Sequence, residues 1–386
     1  MGAILEKIIC VNKDKSSLFK LNYFSSLLIT RVGEILVFKI GYSFTYFIQG
    51  VMLGLFLSYY AFLLTLEEYV LIATLFLLTW SIKPVYSFLI DKLNILATVF
   101  SLILVIFFLI LPMTYIPIWM AILGGIALGL MDVSADGWLT MLSGEGVNPD
   151  FWTGIGFAAR TTGFLLVVIF TILSNTISLH LLFMIVKSLG IILTIIVSVS
   201  FIRFRFKEKG DIKAVLRHFK ENILLYLLLY IATSWGSAVF DVATKIYETR
   251  SILIEIIILT TIFAVMAQLL GRDWYIYKFT PASTIIFTII GIISFLYGLN
   301  FLLELTVAFV ASLSWPVYGI INEKASEVNS YPVFYTALLY GLSNIFDALY
   351  INTVTFIVPI YLHPLIYLIL ILPLMSILKR EYCEKY

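Results

Sequence analysis

The sequence predicts an all-α integral membrane protein of twelve transmembrane helices in two six-helix halves, and three observations carry that expectation. The chain is 61% hydrophobic and 12% charged, with a mean hydropathy of +1.05, whereas soluble domains run to about 45–50% apolar and about 25% charged residues. About 20 apolar residues cross about 30 Å of hydrocarbon as a helix, and 386 residues leave room for a dozen such crossings and little else. A basic stretch from Arg203 to Glu221 divides the apolar runs six and six. Backbone amides in lipid must be satisfied within their own segment, so runs of this length fold as helices and not as barrel strands.

Residues 1–39 read as a cytoplasmic N-terminus with an amphipathic lead-in along the interface, from Asn22 to Lys39, carrying Arg31 and Glu34. The charges of Glu6, Lys7, Lys13, Asp14 and Lys15, without a compact apolar core, argue against a cleavable signal. The first bundle, 40–202, holds spans near 40–62, 67–88, 95–113, 117–142, 151–174 and 178–202. A cytoplasmic basic loop, 203–221, leads to the second bundle, 222–379. Its spans lie near 222–246, 251–270, 280–298, 301–321, 332–358 and 361–378, and residues 380–386 form a cytoplasmic tail. Pro149-Asp150-Phe151-Trp152-Thr153 returns as Pro332-Val333-Phe334-Tyr335-Thr336 at an offset of 183, each copy opening the fifth span of its half. Asp91 is answered by Asp273 at an offset of 182, and the near-equal offsets point to duplication.

Lys and Arg gather on the side that holds the N-terminus, from Lys7 and Lys20 through Arg203, Arg205 and Arg217 to Lys379 and Arg380. The outer loops carry almost none beyond Lys245 and Arg250, so both termini are expected in the cytoplasm. Without an N-x-S/T acceptor, a prokaryotic plasma membrane and a eukaryotic endomembrane both stay open. The net charge of +2 is too small to argue for a nucleic-acid partner. Cys10 and Cys383 stand near opposite ends and His180, His218 and His363 are scattered, so neither a disulfide framework, a metal site nor a cofactor is expected.

Chemistry concentrates in the fourth span, where Asp132 and Asp136 stand four residues apart, on one helix face. A charge at such depth costs about 2.5–3.5 kcal/mol on insertion scales, and intramembrane acids accordingly face protein interiors and pathways. At about 1.5 Å per residue, Asp136 lies about 10 Å and Asp132 about 16 Å from the span end near Ser143, with Arg160 about 14 Å up the next helix. Two readings stay open: these three residues line or gate an inner vestibule, or they form a fixed ion pair that lets a polar hairpin survive in lipid. Under the first, Asp132→Asn abolishes uptake at normal surface abundance; under the second, both fall together.

Gln49, Lys187, Asp241, Glu304 and Asp347 complete the set expected along a substrate or proton pathway, with Lys187 the residue most suited to attract an anion. Gly50 and Gly54 read as close-packing positions beside Gln49. Lys83, Pro84 and Asp91, mirrored by Arg272 and Asp273, read as gating loops after the second and eighth spans.

Six plus six helices with a basic central loop resemble the major facilitator architecture. Tyr46-Phe47-Ile48-Gln49-Gly50-Val51-Met52-Leu53-Gly54 resembles the YxxQGxxLG pattern of acetyl-coenzyme A transporters and their muropeptide-permease-like relatives. Asp132-Val133-Ser134-Ala135-Asp136-Gly137-Trp138 with Thr140-Met141-Leu142-Ser143 is similar to the DxxxDGW…TMLS stretch of the same family. Tyr335-Thr336-Ala337-Leu338-Leu339 with Ser343-Asn344, and Ile82-Lys83-Pro84 through Asp91, look like its eleventh-span segment and its loop after span two. The family's basic cluster after that loop is missing here, and Arg160 stands where the family tends to have Gln. The resemblance implies secondary active transport of an organic anion, with acetyl-coenzyme A or a related thioester leading and folates, pterins or muropeptides following.

A lipid-modifying enzyme is the rival class, because DxxxD in a membrane helix can hold a divalent metal. The upstream DGxxAR is missing and Leu128 stands where such enzymes need Gly, so no catalytic activity is expected. No G-x-x-x-x-G-K-[ST] loop is present to bind ATP. The expected partners are a small anion, a coupled proton and the bilayer, with the protein a monomer.

Overall fold

The computed structural model describes residues 39–58, 64–93, 95–111, 117–143, 147–173, 178–203, 211–231, 250–270, 280–299 and 331–356, with short pieces at 234, between 305 and 328, and between 362 and 377. The described residues are almost all helical, and none of them is in a strand. Helix α1 covers 39–53 and continues into a π-helical turn, Gly54–Ser58. It is followed by α2 (Leu66–Ser81), α3 (Lys83–Leu93), α4 (Ile95–Ile110), α5 (Pro117–Ser143), α6 (Pro149–Leu173) and α7 (Leu179–Arg203). The chain then forms α8 (Ile212–Glu221), α9 (223–231), α10 (Arg250–Leu270), α11 (Thr280–Tyr297) and α12 (Pro332–Phe356).

Helix ends follow local chemistry. Thr65 starts α2 with a capping box: its hydroxyl accepts from the Glu68 amide at 3.3 Å, and the Thr65 amide donates to Glu68 Oε2 at 2.9 Å. Pro84 divides α2 from α3, because it lacks the N–H that would bond to the Trp80 carbonyl. The ladder resumes through Val85 and Tyr86, both donating to the Ile82 carbonyl. Lys83, Pro84 and Asp91 therefore lie in a helix rather than in the expected loop. The central stretch also holds a helix where a loop was expected: Asp211 caps α8 by accepting from the Lys213 amide at 2.9 Å.

Outward faces are apolar. Ile103, Phe107 and Ile110 recur at helical spacing on α4, as do Ile285, Ile289 and Ile292 on α11, and all are exposed. Apolar stripes on the outside and polar residues within reverse the pattern of a water-soluble helix. Three helical stretches, Leu66–Phe88, Pro117–Thr140 and Phe151–Thr171, are long and apolar enough to cross a membrane by length and composition.

Two cores hold the described residues together. In the first, Tyr42, Met52, Phe76, Phe108, Met131, Trp138 and Val168 pack around α5. In the second, Tyr226, Tyr230, Phe309, Tyr335 and Leu339 pack together with Val215 of α8. The cores interpenetrate at α12 and α10: Val333, Ala337 and Ile257 join the first, while Val70 and Ala73 of α2 join the second. Helix α8 is tied to the start of α12 by His218 Nδ1, 2.7 Å from the Tyr335 hydroxyl, which lies 2.5 Å from that of Tyr226.

Candidate functional site

The site is built where α1 and α6 cross. A Cβ placed on Gly50 would sit 1.9 Å from the Arg160 carbonyl oxygen, and one on Gly163 would sit 2.2 Å from that of Phe47. Backbone therefore lies directly on backbone, as small residues allow in membrane helices. The packing role expected for Gly50 is met, and Gly54 repeats it against Val167. This approach sets the Arg160 guanidinium over the Tyr46 ring, 4.9 Å from its centroid, with Trp80 of α2 at 5.8 Å.

Asp132 is the hub, and its two oxygens are served from four helices, α1, α2, α3 and α6. Oδ1 accepts from Gln49 Nε2 at 2.8 Å and lies 3.8 Å from Arg160 Nη2. Oδ2 accepts from the Lys83 ammonium and from Trp80 Nε1, the latter at 3.2 Å. Gln49 joins the two ends of the cluster, since its Oε1 accepts from Arg160 Nη2 at 3.0 Å. Asp136, one turn along α5, accepts from the Tyr46 hydroxyl. Both acids are almost fully buried, whereas the Arg160 side chain keeps 19% of its surface open.

The sequence grouped Asp132, Asp136 and Arg160 and named Gln49 separately among the pathway residues; the structure places all four together. It adds Lys83, which is 2% exposed and paired with Asp132. Lys83 opens α3 next to Pro84, one turn beyond Trp80, and its ammonium lies beside that indole. Tyr46 and Trp80 complete the cluster; Tyr46 sat within the quoted motif without a role, and the three-residue step from Trp80 to Lys83 was the signal for the other.

Helix α12 closes the cluster from the second half. The Lys83 ammonium lies between two rings, 4.8 Å from Trp80 and 5.3 Å from Tyr340. Thr140 Oγ1 donates to the Asp136 carbonyl at 2.9 Å, so in its 2.7 Å contact with Thr336 the Thr336 hydroxyl is the donor. Around these bonds the helices touch closely: a Cβ on Gly341 would lie 2.6 Å from the Ser81 carbonyl, and one on Gly137 would lie 2.6 Å from Val333 Cγ2. Farther along, Asn352 Nδ2 donates to Thr74 Oγ1 at 3.1 Å.

Asp347 belongs to a buried polar face of α12 with Thr336, Tyr340, Ser343 and Asn344, spaced three and four apart. At about 1.5 Å per residue it lies about 16 Å along the helix from Thr336. The Asn344 amide nitrogen on this face is buried without a hydrogen-bond partner among the described residues. Lys187 is not in the cluster; its ammonium donates to the Leu111 carbonyl just past the end of α4, where a cation satisfies a terminal C=O. Asp241, Glu304, Arg272 and Asp273 lie outside the described residues. Among the described residues no group of three or more His, Cys, Asp or Glu could hold a metal.

No protein-family model matches this sequence, and no curated protein does. The chain is similar to a solved structure described as a major facilitator superfamily transporter, FucP, in the outward conformation, with a TM-score of 0.62 and 17% identity. The likeness covers 90% of this chain and 98% of that one. An all-helical bundle with apolar outer faces, matched over nearly its whole length, gives the conclusion in terms of architecture: this multi-pass integral membrane protein has the major facilitator fold.

Proposed function

We propose that the protein is a secondary active transporter that moves a small organic anion between two six-helix halves by alternating access. The observation that carries this reading is the seam between α12 and the first half. Thr140 meets Thr336 and Lys83 meets Tyr340 directly beside the buried Asp132–Lys83–Arg160 cluster, so opening this end and exposing the charges are one movement. Among the described residues this seam is made of a hydroxyl pair, an amide–hydroxyl bond, a cation–π contact and glycine-mediated packing, contacts that can part and re-form as the halves move.

Arg160 offers the anion a partly open guanidinium from the first half, and the Asn344 amide offers a donor from the second. In this reading both termini face the cytoplasm, the protein works as a monomer, and no catalysis is involved. The resemblance of Tyr46–Gly54 and Asp132–Ser143 to acetyl-coenzyme A transporters puts that thioester first among candidate cargoes, ahead of folate, pterins and muropeptides.

The test is uptake by proteoliposomes of labelled acetyl-coenzyme A, folate, lactate and nicotinate, with and without a pH gradient. Saturable, counterflow-competent uptake of any of them supports a transporter. Linear, non-saturating flux would point to a channel, and no flux of any anion would refute the reading.

A further inference from the structure

We propose that the cluster takes up one negative charge at Arg160 together with one proton at Asp136, so that the cargo is a small, singly charged carboxylate moved with a proton. This rests on the transporter reading and deepens it, and it replaces the coenzyme A thioester at the head of the candidate cargoes by a monocarboxylate. The first observation is the unequal grip on Asp132. Lys83 is paired directly with it, covered by the Trp80 and Tyr340 rings and closed to solvent. Arg160 stands 3.8 Å away, donates to Gln49 and keeps part of its side chain open to solvent. A guanidinium has five donors in a planar fork that matches a carboxylate, so Arg160 can take an incoming anion while Lys83 keeps Asp132 satisfied.

The second observation is the charge count. Among the described residues of the cluster there are two cations and two acids, and both cations face Asp132. Among the described residues the groups facing Asp136 are Tyr46 and Tyr42 from α1, Lys83 at the α2–α3 junction, Asp132 on its own helix and Arg160 from α6, with Tyr340 of α12 next to Tyr46. Asp136 forms no ion pair with any described residue; its partner is the Tyr46 hydroxyl. A phenol both donates and accepts, so that contact persists whether Asp136 is ionised or carries a proton.

With Asp136 ionised, the four charges cancel and an arriving anion finds no surplus. With a proton on Asp136, the cluster carries one positive charge, located on its open member. Anion and proton thus favour each other's binding, and by reciprocity each raises the affinity for the other. One surplus charge also matches one carboxylate. A coenzyme A thioester brings several negative charges for which the described cluster holds no counterpart.

Binding of lactate, nicotinate and acetyl-coenzyme A to the purified full-length protein, by calorimetry at acidic and at neutral pH, tests this. The expected result is binding of lactate or nicotinate that weakens up to about tenfold per pH unit as pH rises, the limit for one linked proton. Asp136→Asn, a fixed mimic of the protonated acid, is expected to bind at the acid-form affinity at both pH values, and Arg160→Gln to lose the monoanion. In proteoliposomes, nicotinate accumulation should follow an imposed pH gradient and ignore an imposed potassium diffusion potential. Binding of none of the probes, preference for acetyl-coenzyme A, or an Asp136→Asn protein that keeps the wild-type pH dependence would each overturn the proposal. The two readings fail separately: saturable flux without pH linkage removes this inference and leaves a transporter, while proton-linked binding without flux removes the transporter and leaves the charge assignment.

Discussion

Arg160 lies 3.8 Å from Asp132 while its own Nη2 donates to Gln49, so the buried carboxylate holds its second cation through a shared amide as much as by direct contact. Lys83, on the other oxygen, is sealed in. Two cations on one acid thus have different work, and the variants that separate them are specific.

Arg160→Gln removes the open cation and leaves the Lys83–Asp132 pair intact. A charge-assisted hydrogen bond is worth about 1.5–3 kcal/mol, so KM for a transported anion should rise by roughly 10- to 150-fold with little change in thermal stability. Uptake kinetics alongside a melting curve in detergent check both halves of the statement.

Asp132→Asn leaves Lys83 buried without its counter-ion, and stranding one partner of a buried pair costs about 3–5 kcal/mol. Surface abundance should fall together with uptake, in contrast to the normal abundance that a pure substrate role implies. The double variant Asp132→Asn/Lys83→Met should regain abundance without regaining uptake, measured by surface labelling and flux.

Thr140 and Thr336 touch across the seam through their hydroxyl oxygens. In a background with Cys10 and Cys383 replaced by Ser, Thr140→Cys/Thr336→Cys should cross-link on mild oxidation and stop transport, with activity returning on reduction. Transport that continues at full rate in the cross-linked protein would mean that this seam does not open.

Gly50→Val should fail to accumulate, because its Cβ would overlap the Arg160 carbonyl and neither backbone can yield without separating α1 from α6. Gly341→Ala meets the Ser81 carbonyl at 2.6 Å and the Pro84 ring at 3.1 Å, at the seam itself. It should fold at lower yield and shift the protein toward the state in which that end is open. Cysteine accessibility at the seam reads the shift.

Lys187→Met should leave transport unchanged, because this ammonium caps a carbonyl beyond the end of α4 and does not reach the cluster. The loss of that bond should lower stability by about 1 kcal/mol, visible as a small drop in melting temperature.

Much of this was legible beforehand. Helices α5, α6, α7, α10 and α11 begin and end within two residues of their expected bounds, because each is one long apolar run closed by Pro, Gly or charge. That Asp132 and Asp136 share a face follows from a four-residue step on any helix. Lys83 shows where such reading stops. A lysine after an apolar run, next to proline, has the local pattern of a surface loop, and nothing within a few residues reveals that an acid 49 positions away waits for it. Helix α8 escaped for the opposite reason: its basic residues mask the Val215 and Phe219 spacing that docks it.

Composition and hydropathy by themselves determined that the chain lives in lipid, that it is helical, where most spans fall and which acids are too deep to be incidental. These follow from solvation and backbone hydrogen bonding, which act on each segment alone. The tertiary structure decided which cation belongs to which acid, that Arg160 stays open while Lys83 closes, and that α12 covers Lys83. Those outcomes depend on how closely α1, α2, α5, α6 and α12 approach one another. That distance is set by glycines meeting backbones far away in the chain, a relation that no local period contains.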